Sequence, residues 1–394
     1  MLAELTERIA HAHATRTPLR ILGGGSWLHA GRPCDGEPLD LRALSGVVDY
    51  EPGDLTLTAA AGTTLQEIDR LTGAEGQWLA LDPHAAPEAT LGATVATASD
   101  GPLASTFGRV RDLVLGLECI TGTGERVRAG GRVVKNVAGF DLVRLHTGAW
   151  GTLGVITEVT MRLRARPEED RVYVVCTDDR SSLEQRLAPL ADLPIAPMAL
   201  ELVNPALAAA LGLEPRLALL VRLGGNADRV RAQRTALDAL GDVVDVGPAV
   251  LAALSAAEPA DHLVARITHE RSRLTDTWRH VVAFCDAHAL WQPQLRASVR
   301  RGLVRVSLPM PHERTPHVDD WAVFVRTIAP PGGHVSWEQL PAAAWPHVPC
   351  AVADAISTGL RRALDPNHIL NRGLLGEPMA DVITSAAGSG APIA

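Results

Sequence analysis

The chain has 394 residues, more than the roughly 100–200 of a typical single domain, so two or three domains, or one large domain with an added lobe, are expected and a small disulfide-stapled module is excluded. Apolar residues at 46% and charged residues at 21% are those of a folded globular chain, which excludes wholesale disorder. The net charge of −8, from 37 basic against 45 acidic residues, removes any electrostatic ground for binding nucleic acid or an anionic membrane. Thirty-six of the cations are arginine and one, Lys135, is lysine. The five cysteines, at 34, 119, 176, 285 and 350, contain no Cys-x-x-Cys pair, so no disulfide scaffold, zinc knuckle or iron–sulfur cluster is expected. The N-terminus lacks the continuous apolar region of a secretory signal, and no apolar run approaches the ~20 residues of a membrane span. A cytoplasmic chain is expected, with membrane contact only through a partner.

Leu2, Leu5 and Ile9 recur at helical spacing and predict an amphipathic helix ending before Pro18. From Leu19 to about Arg164 the texture is of short β-type runs broken by glycine: LRIL, GVVDYEP, DLTLTAAAG, DLVLGLECITGTGERV and TLGVITEVTMRL. Helices are expected at Leu65–Leu71, after the Thr63/Thr64 cap signal, and around Leu142–Thr147. The charged, proline-bearing stretch from Arg166 to Asp170 marks a boundary. Beyond it the pattern reads strand (VYVVC), helix (Ser182–Leu190), strands (MALELV, RLALLVRL) and helix (Asp228–Leu240), an α/β lobe on one sheet. A helical section from about Ala260 to Ala289 is expected next, then the strand GLVRVSLP, then an amphipathic helix at Ala351–Leu364 stopped by Asp365-Pro366. The expected domains are therefore 1–166, 167–350 and a returning segment 351–376, with 377–394 a flexible tail.

Three glycine-rich stretches could carry chemistry. In the first, Gly23-Gly24-Gly25-Ser26 ends a β-run. Such glycines either make a tight turn or turn successive N–H groups toward an anion without a Cβ in the way. No Walker lysine follows, and no G-x-G-x-x-G opens a helix. The second, Ala89 to Pro102, is small and hydroxylated almost throughout, which suits either a tightly packed helix or a diphosphate and ribose surface. The third runs from Lys135-Asn136-Val137-Ala138-Gly139 through Gly148, Gly151 and Gly154 into the strand at Val155-Ile156, a backbone free to lie along a flat ligand. Gly122-Thr123-Gly124 is assigned to hairpin turn chemistry alone.

In order and spacing, GGGS, QWLALDP, ATLGATVATASDGP, GRVRDLVLG, KNVAGFDL and GTLGVITEV resemble the FAD-binding domain of the vanillyl-alcohol-oxidase/PCMH-type flavoprotein superfamily. Within it the chain is most similar to the E-subunit family of bacterial glycolate oxidases, whose late G-G-H and C-terminal motif read here Gly332-Gly333-His334 and Leu360 to Leu375. The resemblance implies an α+β fold: a PCMH-type FAD-binding domain of two α+β subdomains, a smaller α/β cap domain, and a C-terminal helix returning to the flavin domain. It implies that Gly23, Gly24, Gly25 and Ser26 wrap the FAD diphosphate with Thr90, Leu91 and Gly92, and that Thr97 and Gly101 line the same cleft. Lys135, Asn136 and Gly139 would run near the flavin or its ribityl chain, Gly151, Gly154, Val155 and Ile156 along the adenosine half, and Asn371 over the flavin side. Ser26 stands where some members carry a FAD-linking histidine, so the FAD is expected to be non-covalent. Phe140, Leu370, Arg372 and Leu375 depart from the family pattern.

What the resemblance implies for function is an FAD-binding subunit of a glycolate oxidase or dehydrogenase complex, accompanied by a second FAD subunit and an iron–sulfur subunit. It would oxidise a small 2-hydroxy acid or relay electrons for the subunit that does. The alternative is an autonomous FAD-dependent oxidoreductase for D-lactate or another hydroxy acid or alcohol, and a third reading is a scaffold without cofactor. Oxidation needs a base for the hydroxyl proton and cations for the carboxylate. His334 and Lys135 are the candidate catalytic residues. Lys135 is there because a compact ammonium could stabilise negative charge on a reduced flavin. His262, His269, His280 and His312 are weaker candidates, and no histidine pairing in the cap suggests a metal.

Overall fold

Leu5, Ile9 and Ala12 are the buried residues of the helix Leu2–Thr15, which stops at a left-handed Arg16 (φ 55°), two residues before Pro18. Proline cannot continue a helix and biases its predecessor away from one. The chain turns there into β1 (Leu19–Leu22), which pairs parallel with β2 (Glu37–Asp40). The computed structural model describes residues 1–131, 141–177, 187, 190, 192–256, 261–288, 290, 292–309 and 321–377.

The glycine-punctuated runs that follow form β3 (Val47–Glu51), β4 (Thr56–Ala60), β5 (Gln77–Trp78), β6 (Val114–Ile120), β7 (Arg126–Gly130), β8 (Val155–Arg162) and β9 (Arg164–Ala165). Five of them make an antiparallel sheet in the order β3-β4-β8-β6-β7, and β5 pairs with β9. The helix Leu65–Gly73 begins with a capping box in which Thr64 accepts from Glu67 N–H and Glu67 returns a bond to Thr64 N–H. This satisfies two N–H groups that a helix start leaves orphaned. The small-residue stretch forms the helix Leu91–Thr97, whose two bulky side chains, Leu91 and Val95, are fully buried among Leu57, Ile68, Val159 and Met161.

The second sheet has eight strands: β10 (Glu169–Thr177), β11 (Ala199–Val203), β12 (Leu217–Gly225), β13 (Val243–Asp245), β14 (His262–Thr268), β15 (Gln294–Ser298), β16 (Leu303–Pro309) and β17 (His334–Gln339). Their order is β13-β10-β12-β11-β15-β16-β14-β17, and every pairing is antiparallel. The helices Ala227–Leu237 and Leu274–Ala287 pack on it, the latter burying Trp278, Val281 and Phe284 with Phe324 and Trp337.

The structure corrects three expectations. The helical section from Ala260 is a strand in its first half, where Leu263, Val264, Ala265 and Ile267 are buried, and the helix starts only at Leu274. A run so apolar satisfies helical and strand periodicities together. His269 and Glu270 consequently lie in the loop after β14, where Glu270 N–H donates to His269 Nδ1 (2.7 Å), and Arg271 opens the 3-10 turn Arg271–Arg273 ahead of the helix. The last helix begins at Ala355, not Ala351, because Asp354 caps it by accepting from Ile356 and Ser357 N–H. The expected helix Ser182–Leu190 lies outside the described residues except at 187 and 190.

After that helix the chain returns to its start. Leu19 N–H donates to Ile369 O (2.7 Å) and Asn371 N–H to Leu19 O (2.9 Å), so the C-terminal segment adds parallel to β1. The fully buried Asp365 carboxyl accepts from Ile369 N–H (3.0 Å) and Leu370 N–H (2.9 Å). Gly122 lies in the expected hairpin turn between β6 and β7, and a Cβ on it would stand 2.3 Å from the Asp365 Oδ1, so it is also a packing requirement of the returning segment. Glu377, where the tail was expected to begin, is ion-paired with Arg361. Asp365→Ala should cost on the order of 2–4 kcal/mol in urea unfolding, since two buried N–H groups lose their acceptor; Asp365→Asn, which keeps one acceptor oxygen, should cost less.

Candidate functional site

β1 runs directly into the glycine loop, so the loop's position is that of β1. Among the described residues the N–H groups of Gly23, Gly24, Gly25 and Ser26 have no hydrogen-bond partner. Ser26 Oγ and Thr90 Oγ1 are buried and equally without a partner. A buried hydroxyl left unpaired costs free energy, and such groups in a native fold point to a missing ligand atom. Both hydroxyls line a narrow slot of ≈90 Å³ together with Gly23, Gly25, Gly92, Thr97, Gly151, Gly154, Ile156 and Asn371. Its walls come close because they lack side chains: a Cβ on Gly23 would lie 2.6 Å from Thr90 Oγ1, and one on Gly92 2.6 Å from Ala61 Cβ. Gly151, at φ +68°, would press on Asn371 and Ile21 at 3.0 Å.

Asn371 fixes the slot's geometry. Its Oδ1 accepts from Ile21 N–H (2.9 Å) and its Nδ2 donates to Trp150 O (2.8 Å), so one side chain spaces β1 from the Gly148–Gly154 turn. Behind the slot, His146 and Cys119 form a buried pair (Sγ to Nε2 3.4 Å), and a Cβ on Gly154 would meet His146 Cε1 at 3.0 Å. Burial holds the His146 imidazole down to about 4 and pushes the Cys119 thiol up to about 12, so the pair is neutral at physiological pH.

Of the other expected residues, some offer the slot no free amide and some lie away from it. Leu91 points into the core, its N–H bonded to Thr63 O, and Gly92 N–H is bonded to Ala61 O, so neither amide is available to an anion. Val155 is buried against Ile120 on the opposite face of β8 from Ile156, as strand alternation requires. Gly24 is exposed at the loop's tip. Gly101 lines the larger cavity described next, and its want of a Cβ belongs to Asp82, whose carbonyl oxygen would lie 1.8 Å from one. Lys135, Asn136, Gly139 and His312 lie outside the described residues.

The slot opens past Trp27, Thr97, Trp150 and Leu374 into a cavity of ≈620 Å³ between the two sheets. Trp27 sits 4.8 Å from the His84 ring and 5.4 Å from Trp150 at this junction. The cavity's far wall is built by the eight-stranded sheet. In its register Arg296 faces Arg305, Arg305 faces Arg266, and Arg266 faces Ser336 across four adjacent strands. All three arginines line the cavity, and the side chains of Arg296 and Arg305 are only 11% and 12% exposed. Like charges directly opposite one another destabilise a sheet. Glu338 offsets part of this, with Oε2 2.7 Å from Arg305 and Oε1 3.9 Å from Arg266, and Glu201 stands 3.7 Å from Arg296. Among the described residues five arginines (32, 266, 296, 305 and 326) and three carboxyls (Asp82, Asp100 and Glu338) line the cavity, a lining richer in cations than in anions and suited to an anionic ligand.

His334 is on this wall, at the exposed start of β17. Asp82 is on the wall opposite, where both its oxygens accept from Leu103 N–H at 3.1 Å. It keeps some surface open to the cavity while the rest is enclosed by protein, and desolvation pushes its carboxyl up to about 7 against the pull of Arg222. The arginine row and Asp82 were not found from sequence. The available signal was single arginines inside apolar strands, LVARIT and LVRVSLP; three such strands distant in sequence say nothing of register.

Residues 2–130 match the family model described as an FAD binding domain. The chain is 40% identical over 195 residues to glycolate oxidase subunit GlcE of Escherichia coli (strain K12), a stretch covering 49% of this chain and 55% of that one. It is 29% identical to glycolate oxidase subunit GlcD of Bacillus subtilis (strain 168), over 48% of this chain and 41% of the relative. The chain thus spans about half the length of the curated relatives it matches. The solved structure of p-cresol methylhydroxylase with substrate bound superposes with a TM-score of 0.75 at 15% identity, over 95% of this chain and 87% of the other. The fold is therefore the PCMH-type flavoprotein fold, and the slot fits that domain's cofactor: free amides and unpaired hydroxyls for a diphosphate, glycine walls for a flat ligand.

Ser26→Ala and Thr90→Val should each lower FAD retention several-fold, read as the ratio of flavin to protein absorbance after gel filtration. His146 has an ordinary value of 6.5. Between that pH and about 4 the unfolded chain binds a proton that the folded chain does not, so folding stability falls as pH drops through this window. His146→Gln should flatten that acid limb in urea titrations at pH 4.5 to 7.

Proposed function

We propose that the chain is an FAD-dependent oxidoreductase subunit that oxidises a small 2-hydroxy acid of the glycolate or D-lactate type, working within a multi-subunit complex. The observation that carries the substrate class is the in-register row Arg266, Arg305 and Arg296 facing the cavity into which the cofactor slot opens. Guanidinium groups present paired N–H donors that match a carboxylate. Glu338 fixes Arg305 from one side, and the row presents guanidinium groups to the substrate's carboxylate from the cavity wall. FAD, held by Gly23, Gly25, Ser26, Thr90 and Gly151, supplies the acceptor for hydride when bound. Trp27 and Trp150 at the junction exclude water from the reacting end, and the low dielectric there strengthens the arginine–carboxylate attraction.

Membership of a complex is supported by the names of the relatives, both called glycolate oxidase subunits. Among the described residues there is no group of three or more His, Cys, Asp or Glu that could hold a metal ion. We expect the partner set to hold a second flavin subunit and an iron–sulfur subunit. No helix of the described residues is long and apolar enough to cross a membrane.

The purified FAD-loaded chain, alone and co-expressed with neighbouring-gene flavoprotein and cluster subunits, should reduce a dye with glycolate or D-lactate. Arg305→Met should raise KM for the acid by about 10- to 100-fold, the loss expected for a charge-assisted bond of roughly 1.5–3 kcal/mol. Reduction by neutral alcohols in preference to hydroxy acids, with Arg305→Met unchanged, would refute the assignment.

A further inference from the structure

The proposed oxidation needs a proton acceptor, and the cavity offers one in Asp82, the aspartate of the QWLALDP stretch. Asp82 lies on the flavin-domain wall of the cavity, opposite the arginine row. Its carboxylate has no ion pair within salt-bridge distance among the described residues: its recorded hydrogen bonds come from Leu103 N–H alone, which reaches both oxygens. The backbone around it is rigidly held. Its carbonyl accepts from Ser255 Oγ (3.4 Å), Ala85 N–H donates to Ser255 O (2.7 Å), and His84 N–H donates to Ser99 Oγ (3.0 Å). The neighbouring Gly101 leaves no room for Asp82 to retreat. The charged groups facing it are Arg222 from β12, Glu201 from β11 and Arg296 from β15. Arg296 is itself a member of the carboxylate-binding row.

We propose that Asp82 is the catalytic residue that accepts the substrate's hydroxyl proton, an inference that rests on the 2-hydroxy-acid reading above. With the carboxylate on Arg296 and Arg305, the hydroxyl carbon stands between the arginine wall and the Asp82 wall. In the step, the O–H bond breaks and its proton passes to an Asp82 oxygen while the C–O bond becomes C=O. The α-hydrogen would leave with its electron pair as hydride to the two-electron acceptor that FAD supplies when bound, and the acid would become the 2-oxo acid. A carboxyl whose enclosure raises its affinity for protons toward neutrality is matched to such a transfer.

The test uses the FAD-loaded protein and two readouts. The first is binding of oxalate, a non-oxidisable carboxylate, followed by perturbation of the flavin absorbance from pH 5.5 to 8.5. An anion beside Asp82 favours the protonated carboxyl, so affinity should fall at least threefold from about pH 6 to 8, and by linkage the same anion raises the carboxyl's proton affinity. Asp82→Asn should abolish this dependence, while His84→Asn and His334→Asn should keep it. The second is glycolate turnover with a dye acceptor, where Asp82→Asn should lower kcat by about 10²- to 10⁴-fold with flavin content and Tm unchanged. Should Asp82→Asn fail to fold, the temperature dependence of the wild-type limb decides: a carboxyl limb hardly moves with temperature, and one that moves strongly belongs to an imidazole and overturns the proposal. Turnover by Asp82→Asn within threefold of wild type overturns the role of Asp82 alone. A wild-type protein that neither binds oxalate nor oxidises any hydroxy acid overturns the functional reading with it.

Discussion

The site depends on the docking of residues 369–371 against β1. The glycine loop begins where β1 ends, so its placement relative to Thr90, Gly92 and Gly151 is only as definite as β1 itself, a strand of four residues paired with one equally short neighbour. Asn371 supplies the constraint: one amide bonds β1 on one side and the Trp150 turn on the other, and Asp365 pins the segment by accepting two N–H groups. The slot proposed to hold the cofactor, assembled from residues 20–30, 90–100, 150–156 and 371, is thus closed by a contact between the two ends of the chain. The cost is a buried carboxyl and a glycine at 122 that has no freedom to vary.

The same logic joins the two sheets. Arg301 bonds Gly101 O (3.1 Å) and Asp100 (3.0 Å), and Arg300 bonds Thr106 and Pro197 O. From the other side Gly31 N–H donates to Glu338 O (2.7 Å) while Arg32 reaches Trp345 O and Val348 O (each 2.6 Å). Glu338 is the informative member. Its backbone holds the segment just after the cofactor loop, and its side chain holds Arg305. A shift of the loop is therefore felt at the arginine wall without any intervening flexible element.

Much of this was legible in the sequence, and the division follows physical range. Local signals succeeded: the Thr64 cap, the stop before Pro18, the alternating strands, and the glycines, which report backbone conformation and close approach at their own positions. The unexplained smallness of residues 89–102 was also a real signal, since Gly92 and Thr90 meet Ala61 and the loop at contact distance. What sequence did not show depends on register between distant strands. Arg266, Arg296 and Arg305 each read as an isolated charge, and the β14 run reads as helix because its four apolar residues in seven satisfy both periodicities. Asp82 was quoted inside a motif yet given no role, because only its enclosure distinguishes it from any turn aspartate.

The lone lysine at 135 and the arginine row illustrate why residue type and residue position carry different information. In a chain whose other cations are all arginine, composition singles out Lys135, but nothing in composition separates the arginines of the cavity wall from those on the surface. Geometry does so, through burial and opposition. An exposed guanidinium beside a carboxylate contributes little and tolerates loss, whereas three half-enclosed guanidiniums directly opposed across adjacent strands repel one another unless anions lie between them. Glu338 and Glu201, carried by the same sheet, set opposite charge against the row, so these arginines are held in place by carboxylates that strand register alone brings to them.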